Sequence, residues 1–256
     1  NMTKIVFFCS PIGLGHATRD LAIINELKSE SCKIFSGSSA IEFFQKNNVQ
    51  AYDIYSPPKF EVRNGKLEKS LRWLWDYYKY FKKCKEISNQ IISDEKPNLI
   101  ISDEDFASIA IAQEKGISNI IITDILETKF TSGFGGMIEK KMNKTMKKML
   151  NKADKVIIPE LGINQDNIIR TGPIVRKIQK NRDDIRNDLD FKKKTIVLSV
   201  GGTDAGLFLI KKTIDAVEKI QLDIELVLVA GPKIKEEFGN DLRNFGFVEN
   251  LHEVIF

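Results

Sequence analysis

The chain has little cysteine, little arginine and no long apolar run, and each of these shortages excludes some classes of protein. Its three cysteines, Cys9, Cys32 and Cys84, form no CxxC pair. Neither a disulfide framework nor a zinc site is therefore indicated, and we expect a reducing, cytoplasmic setting. No run of about 18 uncharged apolar residues occurs, so we expect no membrane-spanning helix.

Arginine is the minor basic residue. Lysine supplies 31 of the 39 basic residues, and the formal net charge is only +4. Hydrated lysines and a mild charge do not favour sequence-specific binding of nucleic acid, so no nucleic-acid partner is expected. A hydrophobic content of 42% with 29% charged residues is ordinary for a globular protein and is enough for a real core.

Short β-branched runs alternate with helical patterns along the first two thirds of the chain. Such alternation predicts an α/β fold with a parallel sheet that is covered on both faces. The strands are continuous apolar runs, which is typical of strands buried on both sides. We predict strands at 4–9, 33–36, 49–54, 98–102, 119–123 and 155–158, and helices at 14–29, 38–47, 67–95, 105–115 and 137–152.

A polar segment containing Gly172-Pro173 interrupts this rhythm, and we place a domain boundary there. The sequence thus predicts domains at 1–172 and 173–256. Three strands are few for a two-faced sheet, so we expect the second domain to be incomplete in this chain. Its predicted elements are strands 195–200, 224–229 and 243–248 and helices 206–220 and 233–238.

The residues Gly13-Leu14-Gly15-His16 follow the first strand and begin the first helix. The unpaired N–H groups of a helix N-terminus suit a phosphate or a developing oxyanion, and Gly13 and Gly15 allow a ligand to approach the backbone closely. A dinucleotide site is not indicated, because Thr18 replaces the third glycine of that fingerprint. A Walker loop is not indicated either, because the chain has no G-K-[ST] motif.

His16 and Asp103 are the candidate catalytic pair. The dipole at the start of a helix disfavours imidazolium, so we expect His16 to be neutral and able to act as a general base; the alternative is a capping or turn histidine. Asp103 ends the fourth strand, which neighbours the first strand in the usual strand order, and it would lie beside His16. The alternative is that Asp103, Glu104 or Asp105 caps the following helix.

Five segments in order along nearly the whole chain resemble those of the GT-B glycosyltransferases. The branch that they resemble most contains lipid-linked N-acetylglucosaminyltransferases, glycolipid synthases and glucuronosyltransferases. The segments are GLGHATR at 13–19, SD at 102–103, TGP at 171–173, VLSVGGTDAG at 197–206 and GFVENLHEVI at 246–255.

This resemblance implies two facing Rossmann-like domains, with an acceptor bound by the first and a nucleotide sugar, usually UDP-linked, bound by the second. No obligatory metal and no cofactor besides this co-substrate is implied. His16 would be the general base and Asp103 its partner. The resemblance also implies contacts of Gly201, Gly202, Thr203, Phe247 and Val248 with the donor. For the acceptor or its phosphate we predict contacts from Gly13, Gly15, Arg19 and Glu104.

The donor loop also has support from its own pattern. Gly201 and Gly202 end an apolar strand and precede a helix, so their N–H groups can reach a pyrophosphate; the alternative is a simple tight turn. The function predicted from the sequence is therefore transfer of a sugar from a UDP-sugar to an acceptor hydroxyl on a lipid or glycan. Its rivals are a nucleotide-sugar hydrolase, in which the histidine activates water, and a non-catalytic acceptor-binding subunit.

Two further stretches could concern the acceptor. Helix 137–152 carries methionines on one side and lysines on the other, which predicts either peripheral contact with the inner face of a membrane or an ordinary core helix. The preceding 130–136 predicts a mobile loop at the acceptor pocket. In the aromatic run 72–81, the spacing of Leu71, Leu74, Tyr78 and Phe81 favours packing over sugar binding.

Overall fold

The first sheet of the computed structural model has seven parallel strands in the order β3-β2-β1-β6-β7-β8-β9. The structure describes residues 3–27, 31–58, 62–63, 66–67, 70–129, 133–200, 206–220, 223–230, 238, 242–246, 248 and 250–256. The strands of this sheet are β1 (Ile5–Cys9), β2 (Cys32–Gly37), β3 (Ala51–Tyr55), β6 (Leu99–Asp103), β7 (Ser118–Ile122), β8 (Lys155–Ile158) and β9 (Ile168–Arg170).

Helices cover both faces of this sheet, as the predicted doubly wound fold requires. In β1, Val6 and Phe8 face a core that contains buried residues of α3, α4 and α5, whereas Ile5, Phe7 and Cys9 face a core shared with α1 and α2. All five residues of β1 are buried, which explains why that strand is apolar throughout. The helices are α1 (Leu14–Leu27), α2 (Ser39–Lys46), α3 (Ser70–Glu95), α4 (Phe106–Glu114) and α5 (Gly133–Lys152).

A second, smaller parallel sheet follows, in the order β10-β11-β12. Its strands pack against α7 on one side and against Phe191, Phe245 and Val254 on the other. The predicted helix 233–238 lies almost wholly outside the described residues. The elements are α6 (Arg182–Asp188), β10 (Lys194–Ser199), α7 (Leu207–Ile220), β11 (Ile224–Val229), β12 (Arg243–Asn244) and α8 (Leu251–Val254).

Several local predictions need correction. Strand β9, which was not predicted, precedes the predicted domain boundary, pairs with β8 and extends the first sheet. A hairpin of β4 (Val62–Arg63) and β5 (Lys66–Leu67) was not predicted. The predicted loop 130–136 is helical from Gly133 onward, while residues 130–132 lie outside the described part.

The packing stripe predicted for α3 is wrong in one position. Tyr78 is 42% exposed, whereas Tyr80 and Phe81 pack against the core. The side chains of Leu71 and Leu74 lie outside the described residues.

The C-terminal half of α5 packs as a core helix, because Met146 and Met149 are buried. Its N-terminal half differs, with Met137 69% exposed and Ile138 40% exposed. Among the described residues, none of the helices combines the length and the apolar content needed to cross a bilayer.

Candidate active site at the edge of the first sheet

His16 and Asp103 meet because their elements are neighbours. Strand β1 pairs with β6 so that Cys9 lies beside Asp103, and α1 begins five residues after Cys9. The first turn of α1 therefore stands over the carboxyl end of β6, and His16 Nδ1 lies 3.0 Å from Asp103 Oδ1. The structure thus brings together the two residues that the sequence proposed as a pair.

Arg19, one turn further along α1, forms a two-pronged ion pair with the same carboxylate. Its Nε donates to Asp103 Oδ2 at 2.6 Å and its Nη2 to Asp103 Oδ1 at 2.5 Å, while Nη1 reaches Asp124 Oδ2 at 3.3 Å. Arg19 and Asp103 are both buried. Burial alone would raise the pKa of Asp103, but the hydrogen bonds from Arg19 and His16 lower it to about 2. Asp103 is therefore ionised at any working pH.

Glu104 stands on the other side of the imidazole. Its backbone is in the left-handed region, at φ 53°, which is uncommon for a residue other than glycine. Its Oε1 accepts hydrogen bonds from Thr123 Oγ1 at 3.0 Å and from the backbone N–H of Asp124 at 3.2 Å, and its Oε2 lies 3.5 Å from His16 Nε2. Burial first, and then the Asp124 carboxylate, raise the pKa of Glu104 to about 7.

These contacts define the His16 cluster, which consists of His16, Arg19, Asp103, Glu104 and Asp124. Burial lowers the pKa of His16, but the Asp103 hydrogen bond and the two neighbouring carboxylates outweigh it, and the net pKa is raised. The sequence analysis expected the helix dipole to lower the pKa of His16, whereas its contacts with the carboxylates raise that pKa. His16 is neutral only when the pH exceeds this raised pKa.

Of the three acidic residues that could cap the helix after β6, Asp105 is the one that does so. It is the N-cap of α4, and its Oδ1 accepts a hydrogen bond from the N–H of Ala107 at 3.2 Å. Its other carboxylate oxygen accepts from the hydroxyl of Tyr55 at 2.7 Å. Because Asp105 performs the cap, Asp103 and Glu104 are left to contact His16.

The first turn of α1 offers open backbone beside the cluster. Gly13 has φ 75°, a conformation that favours glycine. A side-chain carbon built on Gly13 or Gly15 would meet no atom within 4 Å among the described residues. A ligand oxygen can therefore approach these two residues closely.

The predicted donor contacts are placed less completely. Gly201, Gly202, Thr203 and Phe247 lie outside the described residues, and their roles stay predictions. Val248 is half-buried and packs against the core of the second sheet.

Asp124 and Thr123 were not among the predicted site residues. They follow β7, the strand next to β6, so the rule that site residues collect at the carboxyl ends of parallel strands would have found them.

A separate cavity of about 470 Å³ lies between α1 and the segment 175–179. It is lined by Leu21, Asn25, Arg176 and His252, among other residues, and by no member of the His16 cluster. Within the described ranges, no group of three or more His, Cys, Asp or Glu side chains is arranged to hold a metal ion.

Comparison with known proteins identifies the fold of this chain. No protein-family model matches the chain, and no curated protein does. Solved structures do match. The glycotransferase of kitacinnamycin is 11% identical, with 97% of this chain and 72% of that chain covered and a TM-score of 0.63. MurG of Acinetobacter baumannii is 12% identical, with 98% and 68% covered and a TM-score of 0.51. S. aureus MnaA in complex with UDP is 14% identical, with 99% and 72% covered and a TM-score of 0.57.

The chain therefore has the GT-B fold, with one seven-stranded and one three-stranded parallel sheet. At 10–14% identity this likeness establishes the fold and leaves the reaction to be argued from the site.

Proposed function

We propose that the protein is a glycosyltransferase that moves a sugar from a nucleotide-sugar donor, a UDP-sugar first of all, to an acceptor hydroxyl. The observation that carries this proposal is His16 held between Asp103 and Glu104 beside the open first turn of α1. The GT-B fold, shared with glycosyltransferases, supports it. Similar structures are complexes with UDP and with thymidine diphosphate, which supports a nucleotide-linked donor.

In the proposed mechanism His16 is the general base. We assign the Nδ1 proton of His16 to the hydrogen bond with the ionised Asp103, so that Nε2 keeps a lone pair and accepts the proton of the acceptor hydroxyl. The acceptor oxygen forms a bond to the anomeric carbon as the bond from that carbon to the diphosphate oxygen breaks. The nucleoside diphosphate leaves with the bonding electron pair, and the proton stays on His16 Nε2. Asp103 and Glu104 stabilise the imidazolium that results.

The remaining predicted residues have proposed parts in binding. We assign the backbone of Gly13 and Gly15 to the acceptor oxygen or an acceptor phosphate, because nothing among the described residues fills the space beside them. Arg19 was predicted to contact the acceptor or its phosphate. In the proposed mechanism it holds the Asp103 carboxylate in place, because its guanidinium is already engaged there. The proposed donor contacts are Gly201, Gly202, Thr203, Phe247 and Val248.

A second candidate is a nucleotide-sugar hydrolase, in which His16 activates water. The observation that favours it is Glu104, whose carboxyl lies 3.5 Å from His16 Nε2 and has its pKa raised to about 7. A carboxyl that exchanges a proton near neutral pH can assist the activation of water.

We propose a lipid or lipid-linked acceptor, approached from a membrane surface through the exposed half of α5. Met137 and Ile138 are exposed there, next to the exposed lysines Lys140, Lys141 and Lys144. Anionic phosphatidylglycerol vesicles should bind the protein in a sedimentation assay, and the double variant Met137→Ser/Ile138→Ser should bind to them less. Equal sedimentation of both proteins would remove this part of the proposal.

The experiment that tests the proposed function is nucleotide release by the full-length protein from a panel of UDP- and TDP-sugars, with and without host lipid extract. Transfer predicts release that requires the extract and a new glycolipid product. Release without the extract, with free sugar formed, would establish the hydrolase instead. No release from any donor would overturn both and point to an acceptor-binding subunit.

A further inference from the structure

Asp20 is a buried carboxyl group that the proposed mechanism does not use. It follows Arg19 in α1 and has no exposed surface. Neither of its oxygens receives a hydrogen bond from a described residue. An ionised carboxylate is an acceptor only, so in this position it would lie in the interior without a donor, which is strongly disfavoured.

The charged groups around Asp20 lead to the same conclusion. The guanidinium of Arg19 donates from Nε and Nη2 to Asp103 and from Nη1 to Asp124, and it makes no hydrogen bond to Asp20. The other titratable groups that face Asp20 are the Cys9 thiol of β1 and the Asp103 carboxylate of β6. Two adjacent buried carboxyl groups do not both ionise, and one of them keeps its proton.

The proton belongs to Asp20. Asp103 has Arg19 and His16 as charge-stabilising donors, whereas the donor that faces Asp20 is the Cys9 thiol, which is a weak one. Burial raises the pKa of Asp20 well above its ordinary value, and the neighbouring Asp103 raises it further. Strand pairing sets Cys9 beside Asp103, and the buried side chain of Asp20 faces both of these residues, so Asp103 is positioned to accept the O–H of Asp20.

We propose that Asp20 is a neutral carboxylic acid that donates a hydrogen bond to Asp103 and thereby limits the basicity of His16. Asp103 then accepts from Asp20 in addition to two bonds from Arg19 and one from His16. Each further donor withdraws negative charge from the carboxylate, so Asp103 stabilises the His16 imidazolium less. The groups that face His16 are Asp103, Glu104 and Arg19.

Asp20 is thus a positioning residue that keeps the imidazole neutral at a lower pH than the two flanking carboxylates alone would allow. This consequence for catalysis rests on the proposed function, whereas the protonation of Asp20 does not.

The test is an NMR titration of the imidazole nitrogens in the full-length protein. His16 and His252 are the chain's two histidines, so His252 serves as an internal reference and His252→Gln assigns the signals. Asp20→Asn keeps a neutral donor beside Asp103, and the His16 midpoint should stay unchanged. Asp20→Leu removes the donor, and the midpoint should rise by about 0.4–1 pH unit. Asp53→Asn, at an exposed position of β3, is the matched control and should change nothing.

Two results would overturn the proposal. A lower His16 midpoint in Asp20→Asn would mean that a negative charge had been removed, and an unchanged midpoint in Asp20→Leu would mean that Asp20 does not act on His16. If the variants do not fold, the ¹³C signal of the Asp20 carboxyl in the unaltered protein decides. The shift of a neutral acid between pH 5 and 8 supports the proposal, and the shift of a carboxylate overturns it. Inactivity on every nucleotide sugar, with these titrations as expected, would remove the proposed function and leave Asp20 as assigned.

Discussion

Replacing Arg19 with methionine would take both guanidinium hydrogen bonds away from Asp103, which has no exposed surface. Removal of one partner of a buried ion pair typically costs about 3–5 kcal/mol, because a charge is left buried. His16 remains as a donor, so we expect the lower end, about 3 kcal/mol of the free energy of unfolding. At about 2–4 °C per kcal/mol for a protein of this size, Tm should fall by about 6–12 °C.

The dependence on pH follows from the sign of the Asp103 shift. Its folded pKa of about 2 lies below the ordinary value of 3.8, so its stabilising contribution is present above that value and is lost as the pH falls toward 2. Without Arg19 the folded pKa rises. The stability difference between the unaltered protein and Arg19→Met should therefore be largest near pH 7 and shrink as the pH falls through 3.8 toward 2.

Urea unfolding followed by circular dichroism measures this difference. Arg170→Met is the matched control, because Arg170 pairs with Glu160, whose side chain is 57% exposed, and such pairs contribute about 0–1 kcal/mol. The double variant Arg19→Met/Asp103→Leu should recover most of the loss, since an apolar pair can replace a buried ion pair. A loss below about 1 kcal/mol in Arg19→Met would refute the account of Asp103 as a buried, paired charge.

Three other substitutions should behave as follows. Tyr55→Phe removes the hydroxyl donor to buried Asp105 and should lower the unfolding free energy by about 1–3 kcal/mol in urea. Gly37→Ala places a carbon 1.9 Å from the backbone oxygen of Tyr55 and should lower stability by at least about 1–3 kcal/mol, whereas Gly15→Ala, which has open space, should not; thermal melts compare them. Because the folded pKa of Glu104 is raised to about 7, ionisation of this residue lowers the stability of the unaltered protein as the pH rises from 5 to 8. Glu104→Gln should lose less stability over the same rise in urea titrations.

The first sheet and the His16–Asp103 contact could be predicted because both follow from strand chemistry. Ile5–Cys9 is apolar at every position, which only a strand buried on both faces requires. Once β1 and the strand ending at Asp103 are placed side by side, the helix start that carries His16 must lie over the carboxyl ends of both strands.

The partners of Arg19 could not be predicted in this way. Its carboxylate partner Asp103 is 84 positions away, and a basic residue in a helix that follows a glycine turn is equally compatible with phosphate binding. The raised pKa of His16 was missed for the same reason, because the sequence did not show that Glu104 would face Nε2.

Short or irregular elements were missed because their stability comes from tertiary contacts. Strand β9 has three residues, and its pairing with β8 holds it in the sheet. The start of α5 at Gly133 runs against the low helix propensity of glycine. In both places the local sequence favoured a loop, and for β9 the pairing with β8 decided otherwise.

The measurement that tests the central claim most directly compares nucleotide release and donor binding in the full-length protein and in His16→Ala. If His16 is the general base, release should fall by about 10²–10⁴-fold, while the Kd for the donor nucleotide by calorimetry should stay nearly unchanged. Release at a rate within a few fold of the unaltered protein would contradict the assignment of His16 as the base.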